Sequence, residues 1–190
     1  MKQMQTRNEV SDSLARSFKE LAQKESIEKI TIKQITDKSG VIRPTFYNHF
    51  QDKYELLEWI IEQEILGPVK PLVLNGFISE GLVLIFTNLA KEKEFYMKAS
   101  RLEGQNSFES IVRDCIYNVL LEFLNSHEVT KKPEKIWLTP ERLARYYAQS
   151  MTFVVMDWIQ SGMYVQAREM AEIYNYIISR SMDDILNEMY

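Results

Sequence analysis

The hydrophobic positions of the chain recur at the spacing of a helix rather than that of a strand. From about residue 6 to residue 25, apolar side chains follow at intervals of four, four and three residues, at Val10, Leu14, Phe18 and Leu21. This spacing places them along one face of an amphipathic helix. Similar stripes continue along the chain, and no stretch shows the alternation typical of a half-buried strand. We therefore predict an all-α protein of about nine helices.

Helix-terminating residues divide the next segment into two short helices. Thr31 stands where its hydroxyl can cap a helix over residues 32–39, and Gly40 supplies the left-handed conformation that closes such a helix. Pro44 suits the first turn of a third helix, which we predict to end at about Phe50. Two helices joined by a turn that holds one glycine form a helix-turn-helix.

A fourth helix follows and ends the N-terminal unit. Asp52 can cap it, a broad apolar stripe runs along it, and Gly67 and Pro68 stop it. We therefore predict a domain boundary near residue 67. An N-terminal domain at residues 1–66 is built on a three-helix helix-turn-helix, and a larger helical domain occupies residues 67–190.

The second domain is predicted to contain five helices. Thr139 and Pro140 form an N-cap and first-turn pair, and Gly162 marks the end of the long helix that they open. A polar linker at residues 126–137 precedes this helix. The predicted helices cover about residues 76–90, 93–101, 107–126, 139–162 and 167–189.

The charge of the chain is unevenly distributed. The net charge of −4 argues, taken alone, against nucleic acid as a partner, because duplex recognition requires a cationic face. Residues 29–53, however, contain five cations and two carboxylates, so this window carries 5 − 2 = +3. The charged residues are Lys29, Lys33, Lys38, Arg43 and Lys53 against Asp37 and Asp52. The basic window coincides with the predicted helix-turn-helix.

Few side chains of the chain suit catalysis or metal binding. Cys115 is the single cysteine and lies among apolar residues, where a free thiol usually fills space. The two histidines, His49 and His127, are far apart, and the sequence has no HExxH, CxxC, GxSxG or glycine-rich phosphate-binding pattern. We therefore expect no enzymatic activity, no metal and no cofactor.

The apolar segments also bear on the compartment. The N-terminal residues lack the apolar core of a secretory signal, and no apolar run reaches the ~20 residues that span a bilayer. We therefore expect a cytoplasmic protein without a membrane segment.

The third helix combines an apolar side with a polar side that suits DNA. The major groove is ~12 Å wide and accepts one helix, whose first residues read most of the bases. Arg43 has the forked donors that match guanine O6 and N7, and Thr45 can contact a thymine methyl group or a phosphate. Tyr47, His49 and Lys53 can contact phosphates.

Several of these residues have an ordinary structural alternative. The ring of Tyr47 can pack against the first helix, Asn48 can fill surface space, and His49 can be a surface histidine with its hydrogen bonds satisfied. Phe46 and Phe50 are four residues apart, share one face, and are predicted to hold the helix in its domain.

The segment TIKQITDKSGVIRPTFYNHFQDKYELLEWI resembles the DNA-binding domain of the tetracycline-repressor (TetR) family of bacterial transcription regulators. The resemblance covers roughly residues 6–66. It rests on Thr31, Ile35, Gly40, Thr45-Phe46-Tyr47, His49-Phe50, and Lys53 followed by Leu56. The chain departs from the family at Ile42, where many members have Ser or Thr, and at Pro44, where a small residue is common.

The resemblance implies a set of DNA contacts. Lys33, Arg43, Pro44, Thr45 and Asn48 are implied to lie near bases or adjoining phosphates. A second group is implied to contact the DNA backbone, namely Thr31, Tyr47, His49 and Lys53.

Residues 67–190 resemble the family only in organisation, as a helical ligand-binding and dimerisation domain. In the family, the last two long helices form a four-helix interface with a partner subunit. Both helices of this chain carry wide apolar surfaces, more than one core contact needs. The predicted interface consists of Met151, Val155, Trp158, Ile159, Ile173, Ile177 and Met182.

The family also implies a small-molecule effector. Aromatic and sulfur side chains of the regulatory domain suit an apolar pocket, although the same residues at helical spacing more often form an ordinary core. The candidate pocket residues are Phe86, Phe95, Tyr96, Phe108, Tyr117, Tyr147 and Met151.

Together these features lead to one functional hypothesis and one alternative. The hypothesis is a homodimeric repressor that binds double-stranded DNA at a palindromic operator and is released by a small molecule. The alternative is a related regulator or helical interaction module that a protein partner controls, with activation as a possible outcome.

Overall fold

The structure is a computed structural model that describes residues 2–126 and 136–189. Within these ranges it is helical and contains no strand, which confirms the predicted all-α class. Most of the predicted polar linker, with His127, lies outside the described residues. The helices are α1 (Lys2–Ala22), α2 (Ile32–Ser39), α3 (Arg43–Tyr47), α4 (Lys53–Ile60), α5 (Lys70–Leu74), α6 (Ile78–Lys91), α7 (Lys93–Ala99), α8 (Phe108–Ser126), α9 (Pro140–Gln160), α10 (Ala167–Ser179) and α11 (Met182–Met189).

The first four helices pack around a shared apolar core. Leu14 and Phe18 of α1 are buried together with Ile35 of α2. Phe46 and Phe50 are also buried, and their ring centroids lie 5.8 Å apart. The prediction that these two rings hold α3 in its domain is therefore confirmed.

The helix ends in this region form where local sequence signals predict them. The hydroxyl oxygen of Thr31 accepts a hydrogen bond from Gln34 N at 3.3 Å, and Gln34 Oε1 accepts one from Thr31 N at 2.8 Å. This reciprocal capping box opens α2. Gly40 closes α2 with a φ of 74°, and Asp52 Oδ1 accepts two amide hydrogen bonds from the first turn of α4.

The fourth helix continues into a wider helical segment. A π-helix, Ile61–Leu66, follows α4 directly, and Gly67 N donates to Glu62 O at 2.6 Å. A Cβ atom on Gly67 would lie only 3.0 Å from that carbonyl oxygen, so the close approach requires glycine. The predicted end of the helix at Gly67 is confirmed, whereas the π winding has no signal in the sequence pattern.

The chain after residue 67 contains two elements that the sequence analysis does not predict. The short helix α5 precedes α6, and the predicted helix over residues 167–189 is divided into α10 and α11. Arg180 is extended between them. Ser181 Oγ accepts a hydrogen bond from Asp184 N at 3.1 Å, and Asp184 Oδ2 accepts one from Ser181 N at 3.1 Å. This reciprocal pair starts a new helix, so the single-helix prediction is wrong.

The core continues from the N-terminal helices into the C-terminal ones. The ring of Phe18 in α1 meets that of Phe95 in α7, with centroids 6.0 Å apart. Lys19 Nζ lies 2.8 Å from a carboxylate oxygen of Glu64 and 3.2 Å from one of Glu92. The division near residue 67 stays a prediction.

Two helix pairs organise the rest of the molecule. The helices α8 and α9 lie along each other, and α10 packs against α6. No helix in the described parts of the chain is both long and apolar enough to cross a membrane.

Candidate DNA-binding face, cavity and dimer surface

Arg43 is the first residue of α3 and is exposed. The helix begins one residue earlier than predicted, with Pro44 in its first turn and Ile42 at the N-cap. Ile42 provides no side-chain hydrogen bond to the helix, as expected from its departure from the Ser or Thr of the family. No carboxylate in the described residues pairs with Arg43, so its guanidinium is available to a ligand.

The other predicted contacts on α3 differ in exposure. Pro44, Tyr47 and Asn48 are exposed, whereas Thr45 is half-buried. Tyr47 is 53% exposed, and its ring meets the edge of Phe46 with centroids 5.7 Å apart. The tyrosine is therefore anchored at one side and accessible at the other. The helix is shorter than predicted because Asn48 and His49 form a turn after Tyr47.

His49 connects the end of α3 to α1. Its Nδ1 atom lies 3.0 Å from Ser11 Oγ, a hydrogen bond between residues that are 38 positions apart. Ser11 is buried, and the sequence analysis gives no signal for this contact. The imidazole is thus held in a defined place beside the recognition helix.

The N-terminus of α2 lies beside the same face. Thr31 and Lys33 are exposed, and Lys33 pairs with Asp37 one turn later at 2.5 Å. An exposed pair of this kind contributes only about 0.3–0.5 kcal/mol, so it does not prevent Lys33 from binding a phosphate. Lys38 pairs with Glu20 of α1 at 2.6 Å, which holds the other end of α2. We call Thr31, Lys33, Arg43, Pro44, Thr45, Tyr47 and Asn48 the DNA-binding face.

Lys53, the ninth predicted DNA contact, points its ammonium group into the protein. Its Nζ donates to the carbonyl oxygens of Ile27 at 2.9 Å, Glu28 at 2.6 Å and Ile30 at 2.9 Å. Burial lowers the pKa of the Lys53 ammonium, and nearby carboxylates oppose this change. Its surroundings therefore differ from those of the exposed cations Lys33 and Arg43.

Two family models match the chain on both sides of residue 67. The model for bacterial regulatory proteins of the tetR family matches residues 19–60, and a model for the C-terminal region of transcriptional regulators matches residues 78–180. The chain belongs to the TetR family. Residues 19–60 contain the whole DNA-binding face, so this TetR-family chain is a DNA-binding transcriptional regulator.

The TetR-family assignment agrees with two individual comparisons. The "HTH-type dhaKLM operon transcriptional activator DhaS" from Lactococcus lactis subsp. lactis (strain IL1403) is 25% identical over 169 residues, which cover 87% of this chain and 85% of that protein. Among solved structures, the "Dihydroxyacetone kinase operon activator DhaS" has a TM-score of 0.59 at 22% identity and covers 90% of this chain and 94% of that one. The second comparison shows that the fold is shared.

The regulatory part of this TetR-family chain contains an apolar cavity of about 190 Å³. It lies among the π-helix, α5, α6, α8, α9 and α10. Tyr147 and Met151 line it, as the pocket prediction requires. The sequence analysis does not identify further lining residues such as Val69, Val119 and Tyr174, because helical spacing alone does not separate a residue beside a cavity from one in a filled core.

The other five predicted pocket residues lie elsewhere. Phe86, Phe95, Tyr96 and Phe108 are buried in the filled core, where their rings contact other aromatic rings. Tyr117 lines a separate polar cleft beside α9. None of these five lines the apolar cavity, and their part in ligand binding stays a prediction. Large rings at helical spacing mainly pack against one another.

Three potential metal donors meet where α4 joins the π-helix. One donor atom from each of Glu58, Glu62 and Cys115 lies within 4.8 Å of the other two. Burial raises the pKa of the Cys115 thiol to about 12, and the carboxylates of Glu62, Glu58 and Asp114 add to this effect. A metal would have to displace this proton, since metals bind the thiolate. We assign no metal to this cluster.

Four residues of the predicted dimer interface are buried within the chain itself. Met151, Val155, Trp158 and Ile159 belong to the core of a single protomer. Trp158 Nε1 also donates to Val165 O at 2.9 Å. These four side chains therefore face their own chain, because α9 has neighbours on several sides, and the interface itself stays a prediction.

Other apolar side chains of the last helices face outward. Ile173, Ile177 and Met182, the remaining predicted interface residues, are exposed. Tyr146 and Phe153 of α9 are 67% and 69% exposed, and the sequence analysis does not include them in the interface. They are seven residues apart, a spacing that places both on one face of α9. We call Tyr146, Phe153, Ile173, Ile177, Met182 and Leu186 the outer apolar face.

Proposed function

We propose that the protein is a homodimeric regulator that binds a palindromic operator through its DNA-binding face and responds to an apolar effector. The observation that carries this proposal is the position of Arg43 at the start of α3. It is exposed and has no acidic partner in the described residues, while Phe46 and Phe50 fix its helix to the core. Arginine in this place can donate two hydrogen bonds to guanine in the major groove.

The size of α3 supports a dimer. Five residues form a helix of about 7.5 Å, which reads only a few base pairs. Two copies provide about six to eight phosphate contacts, and the logarithm of the affinity then falls with a slope of about −6 against the logarithm of the salt concentration. The two copies require half-sites related by a twofold axis.

The outer apolar face supports the same conclusion. Exposed rings and aliphatic side chains of this number are uncommon on the surface of a monomer, and a second copy can cover them. A twofold dimer would place each outer apolar face against its equivalent.

The cavity supports an effector that is itself apolar. Leu66 belongs to its wall and is the last residue of the π-helix that continues α4. A molecule that enters the cavity contacts this helix, and α4 connects to the DNA-binding face through the core. An effector alters DNA affinity only if it binds one arrangement of the helices more tightly than another.

The direction of regulation differs between the sequence hypothesis and the relatives. The hypothesis favours a repressor, whereas both DhaS proteins are described as activators. We therefore propose activation as the second candidate. A transcription assay with the purified protein, polymerase and its own upstream DNA distinguishes the two, since a repressor lowers the amount of transcript and an activator raises it.

Titration of the purified protein against its own upstream DNA and a scrambled duplex, at two salt concentrations, tests the central proposal. We expect tighter binding to the upstream DNA and weaker binding to both duplexes at high salt. Equal affinity for the two duplexes would contradict a sequence-specific regulator.

An uncharged fluorescent hydrophobic probe tests the cavity. Val119→Phe fills part of the space and should lower probe binding, whereas Phe77→Ser, at an exposed site outside the cavity lining, should not. Equal probe binding by both variants and the wild type would argue against a ligand in the cavity. A protein captured stoichiometrically on the operator complex would favour the alternative in which a partner supplies control.

A further inference from the structure

The ammonium group of Lys53 is fully occupied by backbone carbonyls. An ammonium has three N–H donors, and the carbonyl oxygens of Ile27, Glu28 and Ile30 accept all three at 2.9, 2.6 and 2.9 Å. The Lys53 stem also lies beside the ring of Tyr54, with Nζ 5.3 Å from the ring centroid. The family resemblance implies a phosphate contact for the same lysine.

These three carbonyls belong to the segment that leads into α2. A 3-10 turn, Ile27–Lys29, follows α1, and Thr31 caps α2 two residues later. Lys53 is the first residue of α4. The hydrogen bonds therefore join the start of α4 to the start of α2 across 23 to 26 positions of sequence.

A phosphate contact would break this arrangement. A phosphate oxygen can receive a proton of Lys53 only if one carbonyl gives it up. Ile27 and Ile30 are both buried, so water does not readily replace the lost donor at these two carbonyls, whereas Glu28 is exposed. Lys33 pairs with an exposed carboxylate, that of Asp37, and Arg43 is exposed, so neither gives up a buried carbonyl when it binds a phosphate.

We infer that Lys53 is a positioning residue that holds Thr31 and Lys33 in place relative to α3, rather than a residue that contacts DNA. The inference rests on the proposed binding of DNA by α2 and α3. It differs from a phosphate contact in what it predicts for salt dependence, for replacement by arginine and for coupling to Lys33.

The first test compares Lys53→Met, Lys53→Arg and the control Lys33→Met in DNA titrations over a range of salt concentrations. We expect Lys53→Met to weaken binding by about tenfold, because buried carbonyls lose their donor, and to reduce the salt slope by no more than the loss of the Lys33 contact itself. Lys53→Arg should not restore the affinity, since a planar guanidinium does not match three converging carbonyls. Lys33→Met should reduce the slope by about 1.8 per dimer, or about 0.9 per lost phosphate contact.

The second test combines the two substitutions. If Lys53 positions Lys33, the double variant Lys33→Met/Lys53→Met should lose less affinity than the two single losses combined. Simple destabilisation of the fold does not produce this coupling when all variants are measured well below their melting temperatures. Amide hydrogen exchange without DNA should also be faster at Ile30 and Gln34 in Lys53→Met.

The possible outcomes separate this inference from the proposed function. If the wild type does not distinguish upstream from scrambled DNA, both fail. If the wild type binds specifically but the double variant Lys33→Met/Lys53→Met has a shallower salt slope than Lys33→Met alone, or Lys53→Arg binds as tightly as the wild type, the inference alone is overturned. Additive losses in the double variant, or unchanged exchange at Ile30 and Gln34, would also overturn it.

Discussion

At the scale of the residue, Arg43 is the side chain whose removal should alter sequence preference without affecting the fold. It is exposed, and no acidic group in the described residues pairs with it. Arg43→Ala should cost ~1–3 kcal/mol of binding free energy on the preferred operator and relax specificity at one base pair. The measurement is a set of Kd values for operators with single-base changes, together with a thermal unfolding curve.

Lys29→Ala provides the matched control for Arg43. Lys29 is also exposed and has no acidic partner among the described residues, but it lies outside the DNA-binding face. The Lys29→Ala variant should keep the base preference of the wild type. If Arg43→Ala lowered the affinity for every operator variant by the same factor, Arg43 would contact the DNA backbone rather than a base.

The buried thiol of Cys115 should make stability depend on alkaline pH. Burial raises its pKa in the folded state from 9.0 to about 12. Above pH 9 the unfolded chain loses this proton while the folded chain keeps it, so ionisation stabilises the unfolded state. Between pH 8 and pH 10 the free energy of unfolding should fall by about 1.4 kcal/mol from this group.

Urea unfolding of the wild type and of Cys115→Ala at the two pH values measures this effect. The contribution is full below pH 9 and is lost as pH rises toward 12. Cys115→Ala should be less stable at pH 8 because it leaves a small void, but it should show the smaller decrease between pH 8 and pH 10. An identical decrease in both proteins would show that Cys115 is not the cause.

At the scale of the element, Ser181 decides where α11 begins. Its hydroxyl caps Asp184 N, and the carboxylate of Asp184 returns a hydrogen bond to Ser181 N. Ser181→Ala should destabilise α11 by about 1 kcal/mol. Amide hydrogens of residues 182–185 should therefore exchange about fivefold faster than in the wild type. Ser179→Ala is the control, since the hydroxyl of Ser179 bonds only to Tyr176 O within α10. Equal exchange in both variants would show that the cap does not define the helix.

Helix ends that depend on contacts within a few residues can be predicted from the sequence, whereas elements that depend on distant contacts cannot. Thr31, Gly40 and Asp52 set helix ends through contacts within a few residues, so their roles can be read from the sequence. Ser181 and Asp184 have the same local pattern, and attention to it would have predicted the break. The π-helix has no such local signal, whereas Pro71 in the first turn of α5 is a local signal that the sequence analysis does not use.

The functional residues also divide into those whose surroundings follow from nearby sequence and those whose surroundings depend on distant segments. The exposure of Arg43 and the burial of Phe46 follow from their places on one short amphipathic helix. The hydrogen bonds of Lys53 and the contact between Ser11 and His49 join segments far apart in sequence. Helical spacing identifies the apolar side of α9 but not the neighbour that covers it. Phe153 is therefore exposed while Val155 is buried.

At the scale of the whole molecule, the outer apolar face should determine whether the protein is a dimer. Phe153→Glu introduces a charge in the outer apolar face, and a twofold dimer would contain two such charges. The dissociation constant of the dimer should rise by about a hundredfold or more, because each carboxylate loses water on association. Sedimentation velocity over a range of concentrations measures this change.

Phe77→Glu is the control for this experiment. Phe77 is also exposed but precedes α6 and lies outside the outer apolar face. Phe77→Glu should leave the dimer intact, and only Phe153→Glu should also weaken operator binding. A wild type that sediments as a monomer at micromolar concentration would contradict the dimer itself.

The burial of Cys115 also makes the chain convenient for spectroscopy. The chain has one cysteine, and its side chain is 1% exposed. A cysteine introduced at the exposed residue Gln51, just beyond α3, would therefore be the site at which a spin label attaches. In a homodimer each protomer would carry one label, so dipolar spectroscopy would yield a single distance. That distance reports the separation of the two recognition helices, in solution and with or without DNA.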